Sequence, residues 1–179
     1  MSELGIQTER LRMRRLGQQD VDALFAMFQD PGAMRYYPGL KDRAETQAWL
    51  DWSERSWAEH RTGFFALERL SDGAFVGQCG PLPQHVDVRF DYEVGYLLAS
   101  EHWGHGYATE AARGARDWVF RTFDADRVVS FIDPRNAPSI AVAERNDMRL
   151  LKQRRAERWN RDILIYGISR AEWKQLQKT

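Results

Sequence analysis

The sequence has a single cysteine, Cys79, among its 179 residues. One thiol cannot form a disulfide within the chain, so the sequence is typical of a reducing compartment and we expect a cytoplasmic location. A lone cysteine is more often a small buried hydrophobic residue than a nucleophile. The chain also begins without the apolar core of a signal peptide, which agrees with the expected location.

The chain lacks net charge and long apolar runs. Its 26 lysine and arginine residues balance 26 aspartate and glutamate residues, which argues against a nucleic-acid or membrane-surface role. No apolar run approaches the length that spans a bilayer. Because 43% of the residues are hydrophobic, the chain can bury a core and is not disordered. We therefore expect one globular domain that binds neither nucleic acid nor membranes.

Hydrophobic periodicity predicts an α/β domain with a mixed sheet. Apolar or alternating runs predict strands at 8–16, 63–69, 75–80, 89–98, 127–132, 150–158 and 162–169. Helical spacing predicts helices at 18–30, 43–61, 108–122 and 136–146, with a short terminal helix or tail at 171–178. This order of hairpins and βα units favours a partly antiparallel sheet. Pro81 and Pro83 indicate that the strand before them is distorted or lies at an edge near its end.

The stretch at 92–112 has the pattern of an anion-binding site. A short apolar strand leads into the loop WGHGY at 103–107, and apolar residues at helical spacing follow from Ala108. The first N–H groups of a helix have no partners within it, and the helix dipole favours negative charge there. Glycine lets such a backbone close around a phosphate without a Cβ in the way.

Three kinds of phosphate site compete for residues 104–109. A P-loop needs a lysine followed by serine or threonine after its second glycine, and this loop has neither. A dinucleotide site needs a third glycine where Thr109 stands, although Asp124 and Asp126 lie at the spacing of a ribose-binding acid. The three consecutive strands predicted directly before the loop, at 63–69, 75–80 and 89–98, also argue against a dinucleotide site. The third kind is an acyl-coenzyme A site.

The loop and helix start, WGHGYATEA at 103–111, resembles the pyrophosphate loop of the GNAT N-acetyltransferases, in the Rim-type branch that acetylates ribosomal-protein N-termini. Three further segments resemble that branch in the same order: TERL with RR at 8–15, NAPS with ERN at 136–146, and Tyr166 with RAEW at 170–173. The resemblance covers roughly residues 8–175. It implies one N-acetyltransferase domain over residues 1–179 with an α/β GNAT-like fold. The implied sheet is mixed and largely antiparallel, with about six to seven strands splayed at the fourth and about four flanking helices.

The resemblance also implies an acetyl-CoA site, with acetyl-CoA as acyl donor and cosubstrate. Pantetheine would dock like an added strand on the backbone of Tyr96, Leu97 and Leu98, with the N–H of Leu97 polarising the thioester carbonyl. Asn136 would bond the pantetheine arm, and Ser139 or a nearby tyrosine would protonate the leaving thiolate. The diphosphate would be held by the N–H groups of Gly104, His105, Gly106, Tyr107, Ala108 and Thr109.

The acceptor amine must be neutral to attack the thioester. An α-amino group has a pKa of about 7.7–8.0 and a lysine about 10.4, so an N-terminus needs less help from a base. Glu93 is the candidate base, directly or through a water, although a carboxylate at the start of a strand is also typical of a solvated edge or an ion pair. Ser139 and Tyr166 are the other catalytic candidates, and Tyr166 as a packed strand aromatic needs no function.

Two charged patterns and one substitution bear on ligand binding. His102 and His105 form an H-x-x-H pair, but no third ligand has an obvious position, so we predict no metal site. An arginine cluster near the last hairpin favours a solvated face, or else attraction of an acidic acceptor or of the cofactor's 3′-phosphate; its members are Arg154, Arg155, Arg158 and Arg161. Asp147 stands where the family commonly has glycine, and this predicts a left-handed turn that aspartate tolerates less well.

The sequence therefore predicts a cytoplasmic, acetyl-CoA-dependent N-acetyltransferase acting on a primary amine, either a protein or peptide N-terminus or a small molecule. A non-catalytic acyl-CoA-binding regulatory module is the alternative. No motif identifies the amine, which depends on the loop at 35–41, the second helix with Trp49, Trp52 and Trp57, and the segment at 84–87. The tryptophan stripe favours core packing over a wall of an acceptor pocket. Homodimerisation is left open.

Overall fold

The protein folds around one sheet whose strands come from the whole length of the chain. The structure is a computed structural model that describes residues 5–157 and 160–178. In that part of the chain the strands are β1 (Ile6–Gln7), β2 (Leu11–Arg15), β3 (Phe65–Arg69), β4 (Phe75–Val86), β5 (Arg89–Leu98), β6 (Arg127–Ile132), β7 (Arg149–Ala156) and β8 (Arg161–Ser169). The helices are α1 (Val21–Phe28), α2 (Arg43–His60), α3 (Tyr107–Thr122), α4 (Ala137–Arg145) and α5 (Arg170–Leu176).

The strand order is β1-β2-β3-β4-β5-β6-β8-β7, and every neighbouring pair is antiparallel except β5 and β6. The predicted single-domain α/β fold with a largely antiparallel sheet is confirmed. The described residues hold eight strands and five helices, slightly more than expected. One extra strand arises because Ile6–Gln7 pairs with β2. The terminal segment is a true helix because the Ser169 side chain caps it by accepting from the N–H of Glu172.

Strands β5 and β6 separate after Glu93 and Val129. Among the described residues, the last pair in their parallel register is Glu93 with Val129, and both strands continue past it. At the point of divergence the Ser130 hydroxyl donates to the carbonyl of Val94 at 2.8 Å. The expected splay therefore falls on the predicted strand, which is fifth in chain order because β1 is counted. It leaves one side of β5 open.

Strand β4 is longer than predicted. It continues to Val86 and pairs with β5 over that length, although the sequence favoured an end at Gly80. The last residue of β4 that pairs with β3 is Cys79. Pro81 and Pro83 follow, so they lie where β4 has β5 as its only sheet neighbour in the described chain. A missing N–H costs little there, and the expected edge position of the prolines is confirmed.

Helices cover both faces of the sheet. Helix α3 packs on one face through small buried side chains, namely Ala111, Ala112 and Ala115. Val94 and Leu98 of β5 point into the same cluster. On the opposite face Leu24 of α1 and Leu50 of α2 pack with Leu97. Because side chains alternate along a strand, the odd-numbered residues of β5 face α1 and α2, and the even-numbered residues face α3.

The turn after α4 has the left-handed backbone that the sequence indicated. Asp147 has a φ of 60°. Its carboxylate lies 3.6 Å from the buried guanidinium of Arg116, which also donates to the carbonyl of Asn146 at 2.7 Å. The charge pair and the hydrogen bond hold the turn in place, so aspartate is accommodated where glycine would be unstrained.

The single cysteine lies in the main core. Cys79 is fully buried, and burial raises the pKa of its thiol well above the usual value. It therefore behaves as the small hydrophobic residue that the sequence favoured. Among the helices of the described residues, none combines the length and apolar character needed to cross a membrane.

Candidate active site

A cleft of about 2200 Å³ lies on the open side of β5. It is lined by β5, the loop before α3, the start of α4 and parts of α2. It brings together most residues that the sequence singled out, which are Glu93, Tyr96, Leu97, Leu98, Gly104, Gly106, Tyr107, Ala108, Thr109, Asn136 and Ser139. Two candidates, His105 and Tyr166, are not among the described residues that line it.

The loop before α3 has the backbone of an anion site. Gly104 and Gly106 have φ values of 79° and 80°, a conformation that favours glycine. A Cβ built on Gly104 would meet nothing within 4 Å, so the loop is open on that side. Helix α3 begins directly after Gly106, and the N–H groups of its first turn have no partners within the helix. Together with the helix dipole, this arrangement suits a diphosphate.

Side chains from the turn between β1 and β2 contact this loop and hold it in place. Arg10 donates to the carbonyl of His105 at 2.8 Å and to the carboxylate of Glu110 at 2.7 Å. Thr8 donates to the same carboxylate at 2.6 Å. The Arg10 guanidinium also lies 4.8 Å from the ring centroid of Tyr107. We call these contacts of Thr8 and Arg10 with the loop and Glu110 the clamp. The sequence did not predict the clamp, although its residues lie inside segments that carried the family resemblance.

The register of β5 decides which backbone groups face the splay. The N–H of Ala99 donates to β4 at 3.0 Å, and hydrogen-bonded pairs alternate in an antiparallel ladder. Leu97, two residues earlier and opposite Gln78, therefore turns its N–H and carbonyl toward β4. Tyr96 and Leu98 turn theirs toward the opening, as the Val94 carbonyl does. The oxyanion role that the resemblance implied for the Leu97 N–H does not fit this register.

The start of α4 faces the same opening. Asn136 caps the helix by accepting from the N–H of Ser139 at 3.1 Å, which leaves its amide NH₂ group as the free donor. The hydroxyl of Tyr96 donates to the carbonyl of Ser139 at 3.0 Å. Burial raises the pKa of Tyr96, so its hydroxyl stays protonated. The Leu98 carbonyl accepts from the Trp103 indole at 3.0 Å, so it already has a partner.

Glu93 lies where the two strands begin to separate. It is partly buried and accepts a hydrogen bond from Gln84 at 2.8 Å. Burial raises its pKa to about 7, against the opposing effect of that hydrogen bond. A carboxylate of that pKa is half ionised near neutral pH, which is the property of an efficient general base.

A sequence profile described as the acetyltransferase (GNAT) domain matches residues 10–149. The chain belongs to the GNAT acetyltransferase family. The protein is therefore an acyltransferase, and the cosubstrate of its family is acetyl-CoA. The loop, the splay and the start of α4 form the half of the cleft that fits this cosubstrate, and we call it the cofactor half.

Individual relatives and solved structures resemble this chain over most of its length. YkkB of Bacillus subtilis is 39% identical over 160 residues, which cover 89% of this chain and 92% of that protein. A crystal structure of an acetyltransferase from Agrobacterium tumefaciens has a TM-score of 0.81 at 29% identity, covering 95% of this chain and 96% of that one. RimL, a ribosomal L7/L12 α-N-protein acetyltransferase in complex with coenzyme A, has a TM-score of 0.76 over 92% of this chain and 97% of that one. At 17% identity the likeness to RimL concerns the fold, and it confirms that Rim-type enzymes share it.

Tyr166 is packed away from the cleft of this acetyltransferase. It is 7% exposed and belongs to the core cluster under α3 and α4. Burial raises its pKa, and the neighbouring Glu144 on α4 adds to that shift. The structure therefore gives Tyr166 the packing role that its strand position alone would explain, and its part in catalysis stays a prediction.

The tryptophan stripe of α2 divides into two parts. Trp57 is 5% exposed and packs on Phe65 in the main core. Trp49 and Trp52 instead line the GNAT cleft together with Phe64. We call Trp49, Trp52 and Phe64 the aromatic wall, and the part of the cleft between this wall and Glu93 the acceptor half.

The arginine cluster does not act as one group. Arg161 donates to the carbonyl of Tyr36 at 2.7 Å and to Asp133 at 3.0 Å, and it lines the acceptor half. Arg154 stacks over Phe131 at 5.6 Å, and Arg158 lies outside the described residues. Within the described parts of the chain, no group of three or more histidine, cysteine or acidic residues has the arrangement of a metal site.

Proposed function

We propose that this acetyltransferase moves an acetyl group from acetyl-CoA to a primary amine by direct attack of the neutral amine on the thioester. The observation that carries the proposal is Glu93, a carboxylate with a pKa raised to about 7 at the point where β5 and β6 separate. It can take a proton from an amine that approaches through the acceptor half. The likeness to RimL makes a protein N-terminus one candidate acceptor, and a small amine is the other.

The cofactor half has groups that can bind acetyl-CoA. When bound, acetyl-CoA supplies the activated acetyl group. The N–H groups at residues 104–109 would hold the diphosphate, because the glycine backbone is open on that side. Backbone groups of Tyr96 and Leu98 would pair with the pantetheine arm as an added strand would. The amide NH₂ of Asn136 would donate to the same arm.

The proton transfers use residues on opposite faces of β5. Glu93 would accept the amine proton, directly or through a water. The hydroxyl of Tyr96, held at 3.0 Å from the Ser139 carbonyl, would give its proton to the departing thiolate. The sequence predicted Ser139 or a nearby tyrosine as the proton donor, and Tyr96 is a tyrosine in contact with Ser139. One N–H on the open edge of β5, that of Tyr96 or that of Leu98 rather than that of Leu97, would donate to the thioester oxygen.

The test is release of thiol from acetyl-CoA by a panel of amines, followed with a thiol-reactive dye. Because Cys79 is buried, it should not react with the dye in the native protein. We expect kcat/KM to lose an additional factor of about ten per pH unit below pH 7, beyond the fall caused by protonation of the amine itself, because Glu93 then becomes protonated and loses its capacity as a base. Tight binding of acetyl-CoA without release by any amine would contradict the proposal and favour a binding module.

A further inference from the structure

The aromatic wall presents one continuous surface to the cleft. The ring centroids of Trp49 and Phe64 lie 5.3 Å apart at an interplanar angle of 25°. Trp52 lies 5.2 Å from Trp49 and 6.0 Å from Phe64, and it is 38% exposed. Phe64 is only 5% exposed, so the aromatic surface open to the cleft comes chiefly from Trp52 and the partly buried Trp49. A flat apolar group gains most from such a surface.

The wall begins beside the residue that would accept the amine proton. A Cβ built on Gly95 would lie 3.7 and 3.8 Å from two carbons of the Phe64 ring. Gly95 stands between Glu93 and Leu97 on the same face of β5. The Phe64 ring therefore lies along the strand from Glu93, with no side chain of Gly95 between them. An amine at Glu93 would place its substituent over Phe64 and toward Trp52.

The polar groups near the wall leave the aromatic surface as its selective feature. The indole N–H of Trp49 donates to the buried Gln78 at 3.0 Å, so it is not available to an acceptor. The Lys41 ammonium lies 5.4 Å from the Trp49 ring centroid and also lines the cleft. The carboxylates of Glu45 and Glu59 on α2 line the same cleft, so charges of both signs are present there. The exposed rings are therefore what favours one kind of substituent over another.

We propose that the acceptor is a small primary amine with a flat apolar body, of the arylalkylamine class. This proposal rests on the proposed function and names the class of amine that the acceptor half takes. The amine nitrogen forms a bond to the acetyl carbon while the carbon–sulfur bond of the thioester breaks. The ammonium loses one proton to solvent before the attack, because only the neutral amine reacts. A second proton leaves the nitrogen through Glu93, and the departing thiolate takes a proton from Tyr96, so coenzyme A departs as the thiol.

The first test compares 2-phenylethylamine with n-butylamine, spermidine and a peptide that begins with alanine, using thiol release as the readout. We expect kcat/KM for 2-phenylethylamine to exceed the others by about tenfold, because the ring becomes buried against the wall. A better rate with spermidine or with the peptide would overturn this proposal and leave the proposed function intact. No release by any amine, with acetyl-CoA bound, would overturn both.

The second test changes the wall itself. Trp52→Ala should raise KM for 2-phenylethylamine about fivefold and leave n-butylamine unchanged, because only the former contacts the ring. Trp52→Phe should restore most of the loss. The matched control is Phe90→Ala, an aromatic side chain that is 52% exposed and lies outside the described lining of the cleft. Equal losses for both amines in Trp52→Ala would show a structural role and overturn the proposal.

Discussion

The cofactor half of the cleft is made largely of backbone groups, whereas the acceptor half is made of side chains. In the former, the N–H groups before and within α3 and the open edge of β5 are fixed by glycine conformation and sheet register. In the latter, Glu93 and the aromatic wall come from a strand, a helix and a loop. Backbone groups are the same in every amino acid, so the cofactor half can be shared by a family while the acceptor half varies.

Substitution of the proposed base, Glu93, should lower the rate of reaction with the amine and leave acetyl-CoA binding unchanged. This is the largest effect that we expect. Glu93→Gln should lower kcat/KM by about 10²–10³-fold, because the amine loses its general base. Acetyl-CoA affinity, measured by titration calorimetry, should stay unchanged. The additional fall in kcat/KM below pH 7 should vanish, leaving only the fall caused by protonation of the amine. The matched control is Glu59→Gln, an acid of α2 that also lines the cleft. An unchanged pH profile in Glu93→Gln would contradict the assigned role.

The proposed acid, Tyr96, lies in the cofactor half, and substitutions should distinguish it from Tyr166 on β8, from which it is separated by β6. Tyr96→Phe should lower kcat by about tenfold or more, because the thiolate leaves without its proton donor. Tyr166→Phe should change kcat little, since that ring is packed in the core. Tyr92→Phe serves as a control on the same face of β5. If Tyr166→Phe lost more activity than Tyr96→Phe, the assignment from the structure would be wrong.

The backbone character of the cofactor half can be broken at one glycine. Gly106→Ala should weaken acetyl-CoA binding about tenfold, because alanine in the left-handed region costs about 1–2 kcal/mol and shifts the loop. Gly73→Ala is the matched control, since Gly73 has a φ of 73° in a turn outside the cleft. Both variants should lose similar unfolding free energy in urea, and only Gly106→Ala should lose affinity.

The smallest effect is expected where the family glycine is absent. Asp147→Gly relieves a left-handed φ but gives up the charge contact with Arg116 and makes the unfolded chain more flexible. These terms offset one another, so the unfolding free energy should change by less than about 1 kcal/mol. Urea denaturation measures it directly. A larger loss of acetyl-CoA binding than of stability would show that this turn shapes the cofactor half.

The glycine loop was predictable because few residues accept the backbone that it needs. The strand with the splay was predictable because it directly precedes that loop in the sequence. The direction of the Leu97 N–H was not, because it depends on which residues of β5 and β4 form bonded pairs. That register follows from the hairpin at Val86–Arg89, and the sequence favoured an earlier end for β4 at Gly80.

The acceptor half was less predictable because the spacing of residues along a helix does not show which surface of the fold each side chain faces. At about 100° per residue, Trp57 is rotated by about 140° from Trp52 on α2. One stripe read along the sequence therefore served two surfaces, the core and the cleft. The prediction that the stripe packs in the core holds for Trp57, whereas Trp49 and Trp52 line the cleft.

The clamp on the loop has a consequence for how the site comes into being during folding. Arg10 and Glu110 are separated by 100 positions in the chain, so closing that contact carries the entropy cost of a long loop. The diphosphate cradle is therefore complete only after the amino-terminal strands have docked on α3. A folding chain in which the Arg10–Glu110 contact has not yet formed would have low affinity for coenzyme A. Cofactor binding would then mark a late event in folding, and by mass action it would favour the finished state.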